Sequence, residues 1–270
     1  MIQRTPVLRG ASNPASAGLL FVATLAWAAL IGAMLTPLGP LMMPPDAAWR
    51  LANAAAVFLM WALMMAAMML PSAVPMAAMF ASINRRRKWP AGGDGSAAAT
   101  RLPAFVGAYL LVWTAFSVVA TGAHWGLQAA GLLSPAGSST SRILAGALLL
   151  AAGVFQLTPL KRVCLHRCRT PLGFLMTEWR EGASGAFVMG VRHGIFCVGC
   201  CWAMMTLLFV FGVMSLPWVA LLATAVAAEK IVPWGDRLSR WVGIGLIAAG
   251  AGLLTAEAIG MASASTVVRH

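Results

Sequence analysis

The run Ala186-Phe-Val-Met-Gly-Val-Arg192-His193-Gly-Ile-Phe-Cys197-Val-Gly-Cys200-Cys201-Trp-Ala-Met204-Met205-Thr-Leu-Leu-Phe-Val-Phe-Gly-Val213 decides the fold class. A helix needs about 20 mostly apolar residues to cross the hydrocarbon core of a bilayer, and this run supplies them. Three thiols and an imidazole interrupt it. His193, Cys197, Cys200 and Met204 follow one another at intervals of four, three and four. That spacing lays them along one helical face, with Cys201 at its edge. Thiolate, imidazole and thioether are donors suited to Cu(I), and the first two also suit Zn(II). Taken singly, each is ordinary packing material, since buried cysteine behaves as a small hydrophobe and methionine fills core gaps. The cluster is what points to a metal.

The chain of 270 residues is 60% hydrophobic and 10% charged, whereas a soluble globular chain is about 25% charged. Several further windows are as apolar as the first. The composition predicts an all-α, polytopic transmembrane bundle in contact with membrane lipid. The alternating pattern of a membrane β-barrel is absent. In a soluble protein a formal charge of +12 would suggest nucleic acid. Here the basic residues fall in short loops between apolar runs, the distribution of the positive-inside rule, so nucleic acid is set aside as a partner. The 5 cysteines cannot all pair within one chain, and none lies in a segment placed on an oxidising face. A structural disulfide framework is therefore not expected.

About seven spans are expected, near 17–35, 51–76, 103–123, 143–157, 186–213, 217–232 and 241–259. They form one transmembrane domain over 17–259, between a cytoplasmic N-terminal tail (1–16) and a C-terminal tail (260–270). The first apolar run is long for a signal-peptide core and lacks a clear cleavage site, so it reads as a helix. The second span carries Met60, Met64 and Met68 on one face and Met65 and Met69 on another. Pro71 and Pro75 should kink or break it, because each removes a backbone donor and clashes with the preceding turn. Broken helices near the midplane are a feature of transport sites. Arg85-Arg86-Arg87-Lys88 is the most basic loop and marks the cytoplasmic side, with the N-terminus on that side too. His124, beside Trp125 at the far end of the third span, reads as an interfacial histidine. Between the fourth and fifth spans, Cys164 and Cys168 flank His166 among cations that favour thiolate. A lone C-x3-C is a weak metal signal.

Counting depth from a shared surface brings the motifs together. From the turn near Ser215, Cys201 lies 14 residues back and Glu229 14 residues forward, each roughly 20 Å deep. Met64 and Met65 reach a similar level from the start of the second span. An intramembrane carboxylate is expensive and functional by default. Glu229 therefore reads as a metal or proton-relay group, as an ion-pair partner of Lys230, Arg192 or another helix, or as a headgroup-level carboxylate if the sixth span is shorter. Lys230 is expected to snorkel to the cytoplasmic surface.

Four motifs carry a resemblance: Met64-Met-Ala-Ala-Met-Met-Leu-Pro-Ser-Ala-Val-Pro-Met76; Leu157-Thr-Pro-Leu-Lys-Arg-Val-Cys-Leu-His-Arg-Cys-Arg-Thr-Pro-Leu-Gly173; Arg192-His-Gly-Ile-Phe-Cys-Val-Gly-Cys-Cys-Trp-Ala-Met204; and Glu229-Lys230. Together, over about Leu51 to Leu254, the chain resembles a bacterial family of unknown function described as predicted metal-binding integral membrane proteins. The resemblance implies metal binding at Cys164, Cys168, His193, Cys197, Cys200 and Cys201, and carries no catalytic activity with it. The expectation is a protein of the bacterial inner membrane that handles a soft transition metal, Cu(I) before Zn(II), for transport or delivery. Its ligands would be drawn from Cys197, Cys200, Cys201, His193, Cys164, Cys168, Met64, Met65, Met68 and Glu229. A metal donor or a client protein is the implied partner. The other readings are a membrane thiol-redox enzyme, using Cys200-Cys201 with Cys164 and Cys168, and a scaffold whose cysteines only pack. No nucleotide-binding loop is legible, so any transport would be passive, ion-coupled or partner-driven.

Overall fold

Apolar stretches without water must satisfy their backbone internally, and in this chain they do so as helices. The computed structural model describes residues 14–86 and 95–267. Arg4, Arg9, Arg87, Lys88 and the last residues of the C-terminal tail lie outside the described residues. In chain order the helices are α1 (Pro14–Met34), α2 (Leu38–Met42), α3 (Leu51–Arg86), α4 (Gly95–Ala129), α5 (Arg142–Leu157), α6 (Pro159–Arg169), α7 (Pro171–Glu178), α8 (Gly182–Thr206), α9 (Leu208–Phe211), α10 (Leu216–Ile231) and α11 (Gly235–Val267). Among the described residues there is no strand, only an isolated bridge between Leu133 and Ser139.

Helices stand at all seven expected places, but they are unequal. Among the described residues five are long and apolar enough to cross a membrane: Pro14–Met34, Leu51–Arg86, Thr100–Ala129, Gly182–Phe211 and Gly235–Ile259. A sixth arises only if α5 and α6, bent by 65° to each other, form one broken span. The helix α10 has 16 residues, or about 24 Å, short of the hydrocarbon thickness of about 30 Å. The α5–α6 bend has a local cause. Pro159 cannot continue the hydrogen-bond ladder. Thr158 ends α5 and caps α6, its hydroxyl oxygen accepting from the Lys161 amide at 3.2 Å. The bend lays α6 against α8 and so brings Cys164 and Cys168 to the central helix.

The expected break at Pro71 and Pro75 does not occur. The helix α3 runs unbroken through both prolines for 36 residues. Most of its middle is buried, so its neighbours hold it on course, as tolerated prolines in membrane helices require. The Ser72 hydroxyl donates to the Met69 carbonyl at 2.9 Å, and the Tyr109 hydroxyl reaches the same carbonyl at 3.2 Å.

Small residues set the closest helix contacts, as is usual where lipid removes the hydrophobic drive between helices. A Cβ at Gly190 of α8 would lie 2.2 Å from the Phe105 carbonyl oxygen of α4, so the two backbones touch there. The pair α5 and α11 crosses in the same way: a Cβ at Gly153 would lie 2.7 Å from the Gly243 carbonyl oxygen. At one end of the bundle, Arg169 joins α6 to the α10–α11 turn. It donates to the Val232 and Pro233 carbonyls at 2.7 and 2.8 Å and pairs with Asp236 at 2.8 Å. Arg192 pairs with Glu178 at that end.

Candidate metal centre

The cysteines of α8 are buried, and two of their thiols turn back on their own helix. Cys200 and Cys201 donate to the Cys197 carbonyl at 3.1 and 2.9 Å. From α6, Cys168 reaches into the same space and lies against both Cys197 and Cys200, its sulfur 4.0 Å from that of Cys200. A metal–thiolate bond of about 2.3 Å, opened to about 120°, puts two sulfurs about 4.0 Å apart. The Cys168–Cys200 gap therefore fits one ion between two sulfurs. All five cysteines are free thiols.

Other helices complete the lining. The Cys201 sulfur lies 4.0 Å from the Met69 thioether of α3. The Tyr109 hydroxyl of α4 is 3.2 Å from the Cys197 sulfur. From α10, the Lys230 ammonium donates to Cys197 Sγ at 2.9 Å and to Ser72 Oγ at 3.1 Å, and it lies 3.8 Å from Met69 Sδ. Lys230 is thus a correction: it does not snorkel outward but sits 7% exposed with its charge on a thiol. A buried ammonium needs a compensating partner, and here the partner is sulfur.

The remaining candidates fall at graded distances. Cys164 presses on the α8 backbone, where a Cβ at Gly199 would come within 3.0 Å of its sulfur. Met64, Met65 and Met68 are buried in the same core, within five residues of Met69 along α3. The depth count placed Met64 and Met65 level with Cys201, whereas the contact falls at Met69, one turn further on. His193 shares the buried face of α8 but is boxed by the rings of Tyr109, Phe174 and Phe105 at 5.4, 5.7 and 6.0 Å. Its Nδ1 has no hydrogen-bond partner. Tyr109 thus stacks on His193 through its ring and meets Cys197 through its hydroxyl.

Glu229 faces elsewhere. Its carboxylate pairs with Lys161 at 2.6 Å, both side chains 1% exposed, and accepts from Gln156 Nε2 at 2.6 Å. Successive residues on a helix point about 100° apart, so Glu229 and Lys230 cannot both face the cysteines. Lys230 does. Among the described residues no group of three or more His, Cys, Asp or Glu is drawn into a ready-made metal cage. What the fold assembles is a buried sulfur cluster with one ammonium and one phenol.

Met69, Ser72, Tyr109 and Lys230 are the lining residues that sequence reasoning missed. Tyr109 had a visible signal. It is the only tyrosine in the chain, set in the middle of an apolar span, where a hydroxyl needs a buried partner.

Residues 58–253 match the family model described as PpoB2, copper chaperone. No curated protein and no solved structure matches the chain. The matched region runs from α3 into α11 and contains every residue of the buried sulfur cluster. With the match covering more than half of its length, the chain belongs to the PpoB2 copper chaperone family.

Proposed function

We propose that this protein is a membrane-embedded copper chaperone that binds Cu(I) as cargo among Cys168, Cys197 and Cys200 and hands it to a client protein. The observation that carries the reading is the convergence of thiols from α6 and α8, with the Met69 thioether beside Cys201. The family name points the same way. Soft thiolate and thioether donors select Cu(I), which is the ground for preferring it to Zn(II). Glu229, the hard donor that would suit Zn(II) better, is committed to Lys161 and Gln156.

Lys230 has a defined part in this scheme. Two or three thiolates around Cu(I) leave a net negative charge, and a neighbouring ammonium offsets part or all of it in a medium where bare charge is costly. Tyr109 orients Cys197 through its hydroxyl. Cys164 and Cys168 lie on the helix nearest the basic loops and form the loading or release end. The basic loops favour the cytoplasm for that end, with the chain in the bacterial inner membrane and the N-terminus inside. The exchangeable thioethers of Met64, Met65 and Met68 extend the path along α3.

The test is competition for Cu(I) against a chelator of known affinity, on full-length protein in detergent under reducing conditions. Wild type should hold Cu(I) against the chelator, and a Cys168/Cys197/Cys200→Ser variant should lose that binding. One observation favours a second reading: the Cys168 and Cys200 sulfurs approach closely enough to suggest dithiol chemistry. A thiol-redox enzyme would show reversible two-electron thiol titration and indifference to copper.

A further inference from the structure

Two sulfur pairs flank Cys197, and the centre proposed above uses only one of them. On the α6 side the Cys168 and Cys200 sulfurs lie 4.0 Å apart. On the α3 side the Cys201 sulfur and the Met69 thioether are also 4.0 Å apart. The gap that fits one ion between two sulfurs therefore occurs twice. Cys197 stands between the pairs, its thiol within reach of those of Cys168, Cys200 and Cys201. The pairs differ in depth. Cys168 is half-buried, whereas Cys201 and Met69 are 1% and 0% exposed.

Methionine is usually an adaptable gap filler, but Met69 is held in place. Its carbonyl accepts from the Ser72 hydroxyl at 2.9 Å and lies 3.2 Å from the Tyr109 hydroxyl, which is also 3.2 Å from Cys197 Sγ. The Lys230 ammonium bridges Ser72 Oγ and Cys197 Sγ at 3.1 and 2.9 Å and stands 3.8 Å from Met69 Sδ. Tyr109 and Lys230 thus tie the Met69 turn of α3 to Cys197 of α8. Supporting contacts of this kind orient metal ligands. Neither buried imidazole is drawn in: His193 is boxed by rings, and His124, 1% exposed rather than interfacial, packs on Trp49 and Phe209.

We propose that Cys197, Cys201 and Met69 form a second, inner Cu(I) station, and that a single copper passes between it and the outer Cys168–Cys197–Cys200 station with Cys197 as the shared ligand. The proposal rests on the copper reading of the thiols and is separable from it by experiment. In the inward move the bonds to Cys168 and Cys200 break, bonds to Cys201 and Met69 form, and the metal stays Cu(I). The proton that Cys201 gives up passes to Cys200, whose thiol shares the Cys197 carbonyl with it. The half-buried Cys168 takes its proton from water. The inner station holds two thiolates where the outer holds three, so less negative charge is left for Lys230 to offset. Its donors remain soft, as Cu(I) requires.

The experiment uses full-length selenomethionine-labelled protein in detergent, loaded with Cu(I) under reducing conditions. It reads copper per chain together with X-ray absorption at the copper edge. A Cys168/Cys200→Ser variant should keep one copper, with sulfur and one selenium in its coordination shell. Adding Met69→Leu to that variant should remove the selenium signal and lower Cu(I) affinity at least tenfold, the least that loss of even a supporting group costs. The selenium signal is read before Met69 is changed and so does not depend on the leucine variant folding. Copper in wild type and none in the Cys168/Cys200→Ser variant would overturn the inner station while leaving the outer one standing. Retained copper without selenium, or a selenium signal that survives Met69→Leu, would also overturn it. No copper in wild type would overturn both readings.

Discussion

Two lysines in this membrane protein are held in opposite ways. Lys161 has a carboxylate partner in Glu229 at 2.6 Å, so its charge is structural. Lys230 has a thiol at 2.9 Å, so its charge belongs to the site. The difference yields two expectations. Lys230→Met should weaken Cu(I) binding by about 10–100-fold, the range for groups that support metal ligands, with unfolding in detergent little changed; unchanged affinity in a chelator competition would remove Lys230 from the centre. Glu229→Gln should do the reverse. It strands a buried ammonium and should cost about 3–5 kcal/mol of stability, read by denaturant unfolding, while copper affinity holds. Pairing it with Lys161→Met should restore most of that loss. The cysteines were legible in sequence because their spacing on one helix is local. The Lys230 contact was not, because a charge next to Glu229 near a helix end reads as surface until the packing of α10 on α3 is known. Tyr109 was readable in principle, as a lone hydroxyl in an apolar span.

At the scale of elements, the site exists because two helices depart from the simplest expectation. The helix α3 stays continuous through Pro71 and Pro75, which keeps Met69 and Ser72 in register with Cys201 and Lys230. The helices α5 and α6 bend by 65°, which returns Cys168 to α8. Sequence shows proline but not whether buried neighbours will hold the helix straight, and it shows Thr158-Pro159 but not the size of the turn. Close approach at glycine is equally silent until the partner backbone is known. Gly199→Leu should push Cys164 away, since even a Cβ would come within 3.0 Å of its sulfur. Overpacking of this kind costs about 1–3 kcal/mol. The expected readout is a lower unfolding midpoint together with faster alkylation of Cys164 and Cys168; an unchanged alkylation rate would argue that α6 does not depend on this contact.

For the whole molecule, composition made the helical membrane bundle plain, and helices occupy each of the seven expected places. Span number was less legible, because hydropathy counts apolar residues and does not see that α10 is short or that α5 turns back at Thr158. The basic loops make a directional prediction. In a background without the natural cysteines, Arg180→Cys should be labelled by an impermeant maleimide only from the cytoplasmic side, and Thr140→Cys only from the opposite side. The reversed pattern would overturn the cytoplasmic placement of the Cys164–Cys168 end.

The most direct test of the account is the copper content of purified full-length protein by mass spectrometry, comparing wild type with the Cys197/Cys200/Cys201→Ala variant after Cu(I) loading under reducing conditions. The folded variant should lose one copper per chain, the copper bound by sulfur alone. Equal copper in the two proteins, or none in either, would contradict it.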